Sequence, residues 1–344
     1  MALETSCDET AAAVIRDGRE IVSNSVASQI ALHQQYGGVV PEVASRQHIL
    51  TIAPIIADAL GALPNGWRDI NAIATTYGPG LAGALLSGIN TAKAMAWMRG
   101  LPLVGVNHLE GHIYASWLHS EPQQPLPEPP QFPLVALIVS GGHTALVLVR
   151  DHGAYHLIGQ TRDDAVGEAF DKVARIMGLG YPGGPIIEKI ARGVHPGAVK
   201  LPRAWLRGTY DWSFSGLKTA VLNMVQERMG TRAETQKLAA IDAHGTAQIA
   251  AAFQESAVDV LVQKTVAAAR EFGAREIILA GGVAANTALR ESLAAHANPI
   301  PVRFPPIWLC TDNAAMIGAA AYYRYDAGLQ TDWTLDAAPG LKLV

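Results

Sequence analysis

The stretches TAAAVIRDG (residues 10–18) and TALVLVRDHG (residues 144–153) decide the fold. Aligned on Thr10 and Thr144 they match along their length, with one inserted residue in the second. Each is an apolar run ending in an Asp/Gly turn, and each follows another apolar run and a small polar turn, ALETSCDE in one case and VALIVSGGH in the other. Strand, polar turn, strand, tight turn, strand is the pattern of an antiparallel meander. Each meander is followed later by an apolar strand that runs into a glycine-rich turn and a helix. These are INAIATTYGPGLAGALLSGINTAKAMAW and EIILAGGVAANTALRESLAAH. Between the copies lies SEPQQPLPEPPQFP (120–133), whose prolines cannot supply the donors of a central strand, so it reads as a linker or long surface loop.

Two ordered matches on either side of one linker point to duplication. The expected architecture is α/β, with two related lobes and a cleft between them. The first lobe is expected over 1–131, with 310–344 packing back on it. The second is expected over 132–309, with a helical insertion at about 160–245. Helical periodicity is clear in GEAFDKVARIMG and in AQIAAAFQESAVDVLVQKTVAAAREFG. The last helix, NAAMIGAAAYYRYDAG, is rich in small residues that suit close packing.

Composition narrows the class. Of 344 residues 49% are hydrophobic and 16% charged, which describes a well-packed globular chain rather than a disordered one. No apolar stretch reaches the roughly 18 residues of a membrane span, and MALETSCDET has neither the basic start nor the apolar stretch of a secretory signal. Two cysteines, Cys7 and Cys310, argue for a reducing compartment, so the chain reads as cytoplasmic with no membrane partner. The net charge of −4 excludes a strongly cationic nucleic-acid coat. A local basic face, such as KLPRAWLRG with Lys200, Arg203 and Arg207, stays compatible with it.

The polar turns carry the candidate chemistry. Asp8 and Glu9 stand in SCDET; Ser140, Gly141 and Gly142 stand at the corresponding place in VSGGHT. Successive free amides in such a glycine turn form an anion-binding nest, although a Gly-Gly pair also simply makes a hairpin. AGGVAAN (280–286) and YPGGP (181–185) are further glycine turns, and Asn286 offers an amide suited to a ribose or base edge. YGPGLAG lacks the lysine of a Walker loop. In NHLEGHIYASWLH, His108 and His112 fall on one face if the stretch is helical. A buried or surface pair of histidines is the plain alternative, because a metal normally asks for a third ligand. Asp312 in CTDNAAM would supply it if the last helix packs back on the first lobe, and two histidines with one carboxylate suit iron(II) or zinc. The stretch is not HExxH, and Glu110 is misplaced for a metalloprotease base.

ETSCDET, YGGVVPEVASRQH, YGPGLAGALLSG, HLEGH, VSGGHT, GEAFDKVAR, YPGGP, WSFSGLKT, AGGVAAN and CTDNAAM occur together and in order. From Glu4 to about Gly328 the chain resembles the bacterial TsaD family, the tRNA N6-adenosine threonylcarbamoyltransferases. The resemblance implies a duplicated actin-like/Hsp70-like ATPase fold with nucleotide bound between the lobes. It implies transfer of the threonylcarbamoyl group from L-threonylcarbamoyl-AMP to N6 of the adenosine 3′ of the anticodon, in tRNAs reading codons that begin with A. It implies one divalent metal ion per subunit, Fe2+ with Zn2+ as the alternative, on His108, His112 and Asp312. Donor contacts carry over to Ile138, Val139, Ser140, Gly141, Gly142, Asp171, Gly184, Glu188 and Asn286. Asp8 is the expected group for orienting or deprotonating N6, with Glu9 behind it. A paralogous TsaB-type subunit and a TsaE-type ATPase are the implied partners. Two departures stand out. Only Met1, Ala2 and Leu3 precede Glu4, so the first strand is expected to be short, and Ile138 stands where archaeal and eukaryotic relatives carry a tyrosine that can ligate the metal. Three rival readings are an ATP-dependent chaperone or sugar kinase of the same superfamily, a metallo-glycopeptidase, and a non-catalytic scaffold.

Overall fold

The computed structural model of the chain describes residues 1–119, 126, 128–229 and 242–344. Much of the expected linker, and residues 230–241 of the expected insertion, lie outside the described residues. The described strands form two sheets of five. The first contains β1 (Ala2–Glu4), β2 (Glu9–Arg16), β3 (Glu20–Ser28), β4 (Ile73–Gly78) and β5 (Leu103–Asn107), in the order β3-β2-β1-β4-β5. The second contains β6 (Leu134–Val139), β7 (Thr144–Asp151), β8 (Ala154–Gln160), β9 (Glu276–Ala280) and β10 (Val302–Arg303), in the order β8-β7-β6-β9-β10. The two orders are the same topology, which is the duplication read from Thr10 and Thr144. In the first sheet β2 runs antiparallel to β1 and β3, whereas β4 runs parallel to β1 and β5. Asp17 (φ 50°) and Gly18 (φ 70°) both occupy the left-handed region at the β2–β3 turn. Arg19 N–H closes the turn on the Arg16 carbonyl at 3.1 Å, and two central residues with positive φ explain the Asp-Gly pair.

The described helices are α1 (Ile30–Gln34), α2 (Pro41–Gly61), α3 (Ala82–Arg99), α4 (His108–Tyr114), α5 (Val166–Ile176), α6 (Gly183–Ala191), α7 (Ser215–Met229), α8 (Ala243–Glu271), α9 (Thr287–Ala297) and α10 (Ala314–Asp326). The chain divides into two compact units. One comprises Met1–Gln131, Val149–Tyr155 and Pro305–Val344; the other comprises Phe132–Leu148 and His156–Phe304.

In the first unit β1 is short, and all of it is buried. Alternate residues of a strand face opposite ways. Leu3 joins a core with Ile52 and Ile56 of α2 and Leu85 and Ile89 of α3. Ala2 faces α10 instead, where a Cβ on Gly318 would stand 3.4 Å from the Ala2 Cβ and 2.6 Å from Ile15 Cγ1. The small residues of α10 therefore let it lie directly against the sheet. It packs on β1, β2, β5 and α4, and so carries residues 310–314 to the end of α4.

In the second unit β6 reads LVALIV and is buried at every position, as expected of a strand covered on both faces. It pairs in parallel with β9. The long α8 buries Ala250, Phe253, Val260 and Leu261. Its Lys264 ammonium donates to the backbone carbonyls of Leu206 at 3.0 Å and Thr209 at 2.9 Å, and also to that of Asp211. This single side chain ties the 206–211 segment to the helix.

Candidate metal centre and substrate turns

Asn107 ends β5 and caps α4, its side chain accepting from the Leu109 N–H at 2.9 Å. With the start of α4 fixed in this way, His108 and His112 lie one turn apart on one face, ring centroids 4.6 Å apart. Asn313 caps α10 through Met316 N–H at 3.0 Å while its Nδ2 holds the Thr311 carbonyl at 2.8 Å. Asp312 is thereby set at the mouth of that helix. His108 Nε2 lies 3.5 Å and His112 Nε2 3.2 Å from Asp312 Oδ1, and one ligand atom from each of the three lies within 4.8 Å of the others.

These residues fit a divalent cation. Metal bonds of about 2.1 Å place neighbouring ligand atoms roughly 3.0–3.4 Å apart, close to the two distances from Asp312 Oδ1. Both ring nitrogens of His112 are buried without a hydrogen bond of acceptable geometry. An imidazole enclosed in this way needs a further acceptor or donor, and a cation at Nε2 satisfies it. The electrostatics point the same way. Burial alone would depress His108, but the charges of Asp312 and Glu4 outweigh it and raise the imidazole to about 9. A pocket that holds an extra proton this firmly is one where a cation can take that proton's place.

Glu4 was not among the residues singled out in the sequence. Its carboxylate is fully buried at the end of β1, accepts from Ser6 N–H at 2.6 Å and from the Thr76 hydroxyl, and lies 3.3 Å from His108 Nδ1. Burial raises its pKa, yet the charge and hydrogen bond of His108 more than reverse this and leave it lowered. An ionised Glu4 only accepts, so His108 Nδ1 keeps its proton and Nε2 is the nitrogen at which a cation can replace the extra one. Glu4's sequence neighbours, Leu3 and Thr5, do not reveal which group it meets.

Asp8 and Glu9 lie in the same unit, both nearly buried. Glu9 Oε1 accepts from the Ser28 hydroxyl at 3.0 Å. Burial, followed by the charges of Asp312 and Asp8, raises the Glu9 carboxyl to about 10. Glu110 points elsewhere, to Tyr155 and Arg324, so it has no freedom to act as the base of a peptidase.

The substrate residues expected in the second lobe all fall in the second unit. Ile138 and Val139 are wholly buried strand residues that lead into the turn. Gly141 and Gly142 are exposed and face open space. The Ser140 hydroxyl accepts from the His143 N–H at 3.1 Å and shapes the turn. Helix α5 begins beneath it: Gly167 N–H donates to the Ser140 carbonyl at 3.2 Å, and a Cβ on Gly167 would stand 2.5 Å from that oxygen. Gly167 therefore lets the helix approach the turn, a requirement that its place inside GEAFDK did not reveal. Asp171 Oδ1 accepts from Gly183 N–H at 2.7 Å, tying α5 to the start of α6 beside Gly184. Burial raises its pKa, only partly opposed by that amide. Glu188 Oε1 accepts from the Thr287 N–H at 3.0 Å. Asn286, expected to offer its amide to a ribose or base edge, is engaged at both ends, its oxygen capping α9 through Leu289 N–H at 2.9 Å and its nitrogen donating to Gln254 at 2.8 Å.

Comparison with known proteins gives a consistent result. Residues 20–319 match the family model for TsaD, tRNA N6-adenosine threonylcarbamoyltransferase. A tRNA N6-adenosine threonylcarbamoyltransferase of Thermomicrobium roseum is 55% identical, over all of this chain and 96% of its own length. One of Symbiobacterium thermophilum is 54% identical over 100% and 96%. Among solved structures, full-length HypF in its phosphate- and nucleotide-bound form aligns with TM-score 0.57 at 13% identity, over 95% of this chain and 46% of that one. Component A of the Acidaminococcus fermentans (R)-2-hydroxyglutaryl-CoA dehydratase aligns with TM-score 0.50 at 13% identity, over 94% and 97%. At such identities the structural matches speak for the fold alone.

Proposed function

The chain belongs to the TsaD family of tRNA N6-adenosine threonylcarbamoyltransferases, and on that premise we propose that it moves the threonylcarbamoyl group of L-threonylcarbamoyl-AMP to N6 of the adenosine 3′ of the anticodon, in tRNAs reading codons that begin with A. It is a transferase acting on tRNA. The observation that carries the site is the meeting of His108, His112 and Asp312 at the junction of α4 and α10. In the reaction a bond forms between N6 and the carbamoyl carbon, the bond from that carbon to the phosphate oxygen breaks, and AMP leaves with the electron pair. The N6 proton must go to a base.

Adenine N6 is a weak nucleophile, because its lone pair is delocalised into the ring, so positioning contributes much of the rate. The Ser140–Gly142 turn offers exposed backbone amides to the donor's phosphate or developing negative charge. Asp171 and Gly184, held together at the start of α6, would line the donor's nucleoside, with Glu188 and Asn286 beside α9. We assign Asp8 to orienting or deprotonating N6; Glu9, whose carboxyl is engaged by Ser28, ranks behind it. His108, His112 and Asp312 would hold one divalent ion, Fe2+ in our reading with Zn2+ as the alternative. Bound there, such an ion supplies Lewis acidity to the donor's oxygens.

The partners are those that the family resemblance implies. With a net charge of −4 the chain has no general attraction for tRNA. A paralogous TsaB-type subunit and a TsaE-type ATPase would complete the tRNA-binding assembly, in the cytoplasm. No described helix is long and apolar enough to cross a membrane. The test combines the protein with those partners, threonylcarbamoyl-AMP and an unmodified tRNA, then searches the digested tRNA for threonylcarbamoyladenosine by mass spectrometry. The modified nucleoside is expected with the wild type and is expected to vanish with His108→Ala/His112→Ala. Product that survives in the double variant removes the metal from the mechanism. No product with verified donor and partners removes the transferase reading.

A further inference from the structure

HLEGH contains one ionisable side chain that the reaction leaves unused. Glu110 lies on α4 between the two histidines, and its side chain is 1% exposed. One carboxylate oxygen accepts from the Tyr155 hydroxyl at 2.8 Å and the other from Arg324 Nη1 at 3.1 Å. Arg324 is on α10, the helix whose capped start sets Asp312. The next residue along α4 touches the same helix, since a Cβ on Gly111 would stand 2.7 Å from Ile317 Cδ1. A glycine thus lets α4 lie close against α10, and an ion pair beside it fixes how far along α10 it lies.

We infer that Glu110 is a positioning residue for the metal centre, its bonds to Arg324 and Tyr155 holding α4 on α10 in the register that brings His108 and His112 to Asp312. This rests on the reading of those three residues as metal ligands. Glu110 is not itself a ligand. Two residues along a helix turn through about 200°, so it points away from the face that the histidines share. Such a clamp is needed because α4 spans only His108–Tyr114 and is too short to hold its own orientation. A buried ion pair adds little net stability compared with apolar residues of the same volume, and setting register is its best-attested use.

The experiment uses Co2+ as the probe, with affinity and d–d absorption measured for the full chain. The variants are Glu110→Ala, Arg324→Met, the double variant Glu110→Met/Arg324→Met, and a His108→Ala control that marks the signal of this site. The double variant strands no buried charge, so its metal-free melting temperature is expected to stay near that of the wild type. Its Co2+ affinity is expected to fall by about 10–100-fold, the range typical for groups that support ligands, with a changed absorption band. A folded double variant with wild-type affinity and spectrum overturns the inference. Should that variant fail to fold, Glu110→Gln decides in the same way, because it keeps the volume and the Tyr155 bond and weakens only the pairing with Arg324. Wild-type protein that binds no Co2+ through His108 overturns the metal reading itself, and the clamp with it.

Discussion

At the scale of single residues, the position of a proton on His108 controls the centre. The Glu4 carboxylate beside Nδ1 keeps a proton on that nitrogen, so that a cation would take the place of the proton on Nε2. Glu4→Gln keeps the shape but removes the charge, and its amide can offer Nδ1 either a donor or an acceptor. Zinc affinity, measured by competition with a chelating dye, is expected to fall by about 10–100-fold. Wild-type affinity in that variant would show that something other than Glu4 fixes the ring. The histidine pair was legible from its spacing, because a helix face follows from four residues of separation. Asp312 was legible only on condition that the last helix packed back. Glu4 was not, since no local pattern says that the end of the first strand will meet the start of α4.

At the scale of elements, tertiary capping explains what periodicity missed. The strands of both meanders, and α5, α8 and α10, follow from apolar patterning. Helix α7 does not, because its first turn is held by a carboxylate from a distant segment. Asp163 Oδ1 accepts from Phe214 N–H at 2.8 Å and Ser215 N–H at 3.3 Å. The neighbouring Asp164 joins the same helix to α5, accepting from Lys172 at 2.6 Å and Lys218 at 2.7 Å. Burial would raise the Asp164 carboxyl, but the two lysines outweigh it and hold it below its ordinary 3.8. A depressed carboxylate contributes stability above its unfolded value and loses it as pH falls through the folded one. Asp164→Asn is therefore expected to cost about 1 kcal/mol near pH 7, allowing for the partly exposed lysines. The difference in melting temperature from the wild type should shrink as the pH falls below 3.8. A gap that stays constant from pH 7 to pH 3 would mean that the ion pairs do not link α5 to α7.

At the scale of the whole molecule, the proposed division of labour follows the duplication. The three candidate metal ligands, with Glu4, Asp8 and Glu9, belong to the first compact unit; the glycine turns, Asp171, Glu188 and Asn286 belong to the second. Divergence of a repeated unit would account for carboxylates in SCDET and glycine amides in VSGGH under the proposed roles, in which the first turn serves a cation and a nucleophile and the second an anion. Two ligands should then leave separate footprints in hydrogen exchange. Zinc at a hundredfold excess over its dissociation constant adds about 2.7 kcal/mol to the state that binds it. Amides that exchange by opening of that unit should slow by about 100-fold, in β5, α4 and α10. AMP without metal should instead protect β6, the Ser140–Gly142 turn and the first turns of α5 and α6. Protection by AMP confined to the first unit would strip the second-unit residues of their assigned role. Equal protection of both units by zinc would mean that they open as one body, and that the proposed separation of roles has no counterpart in stability.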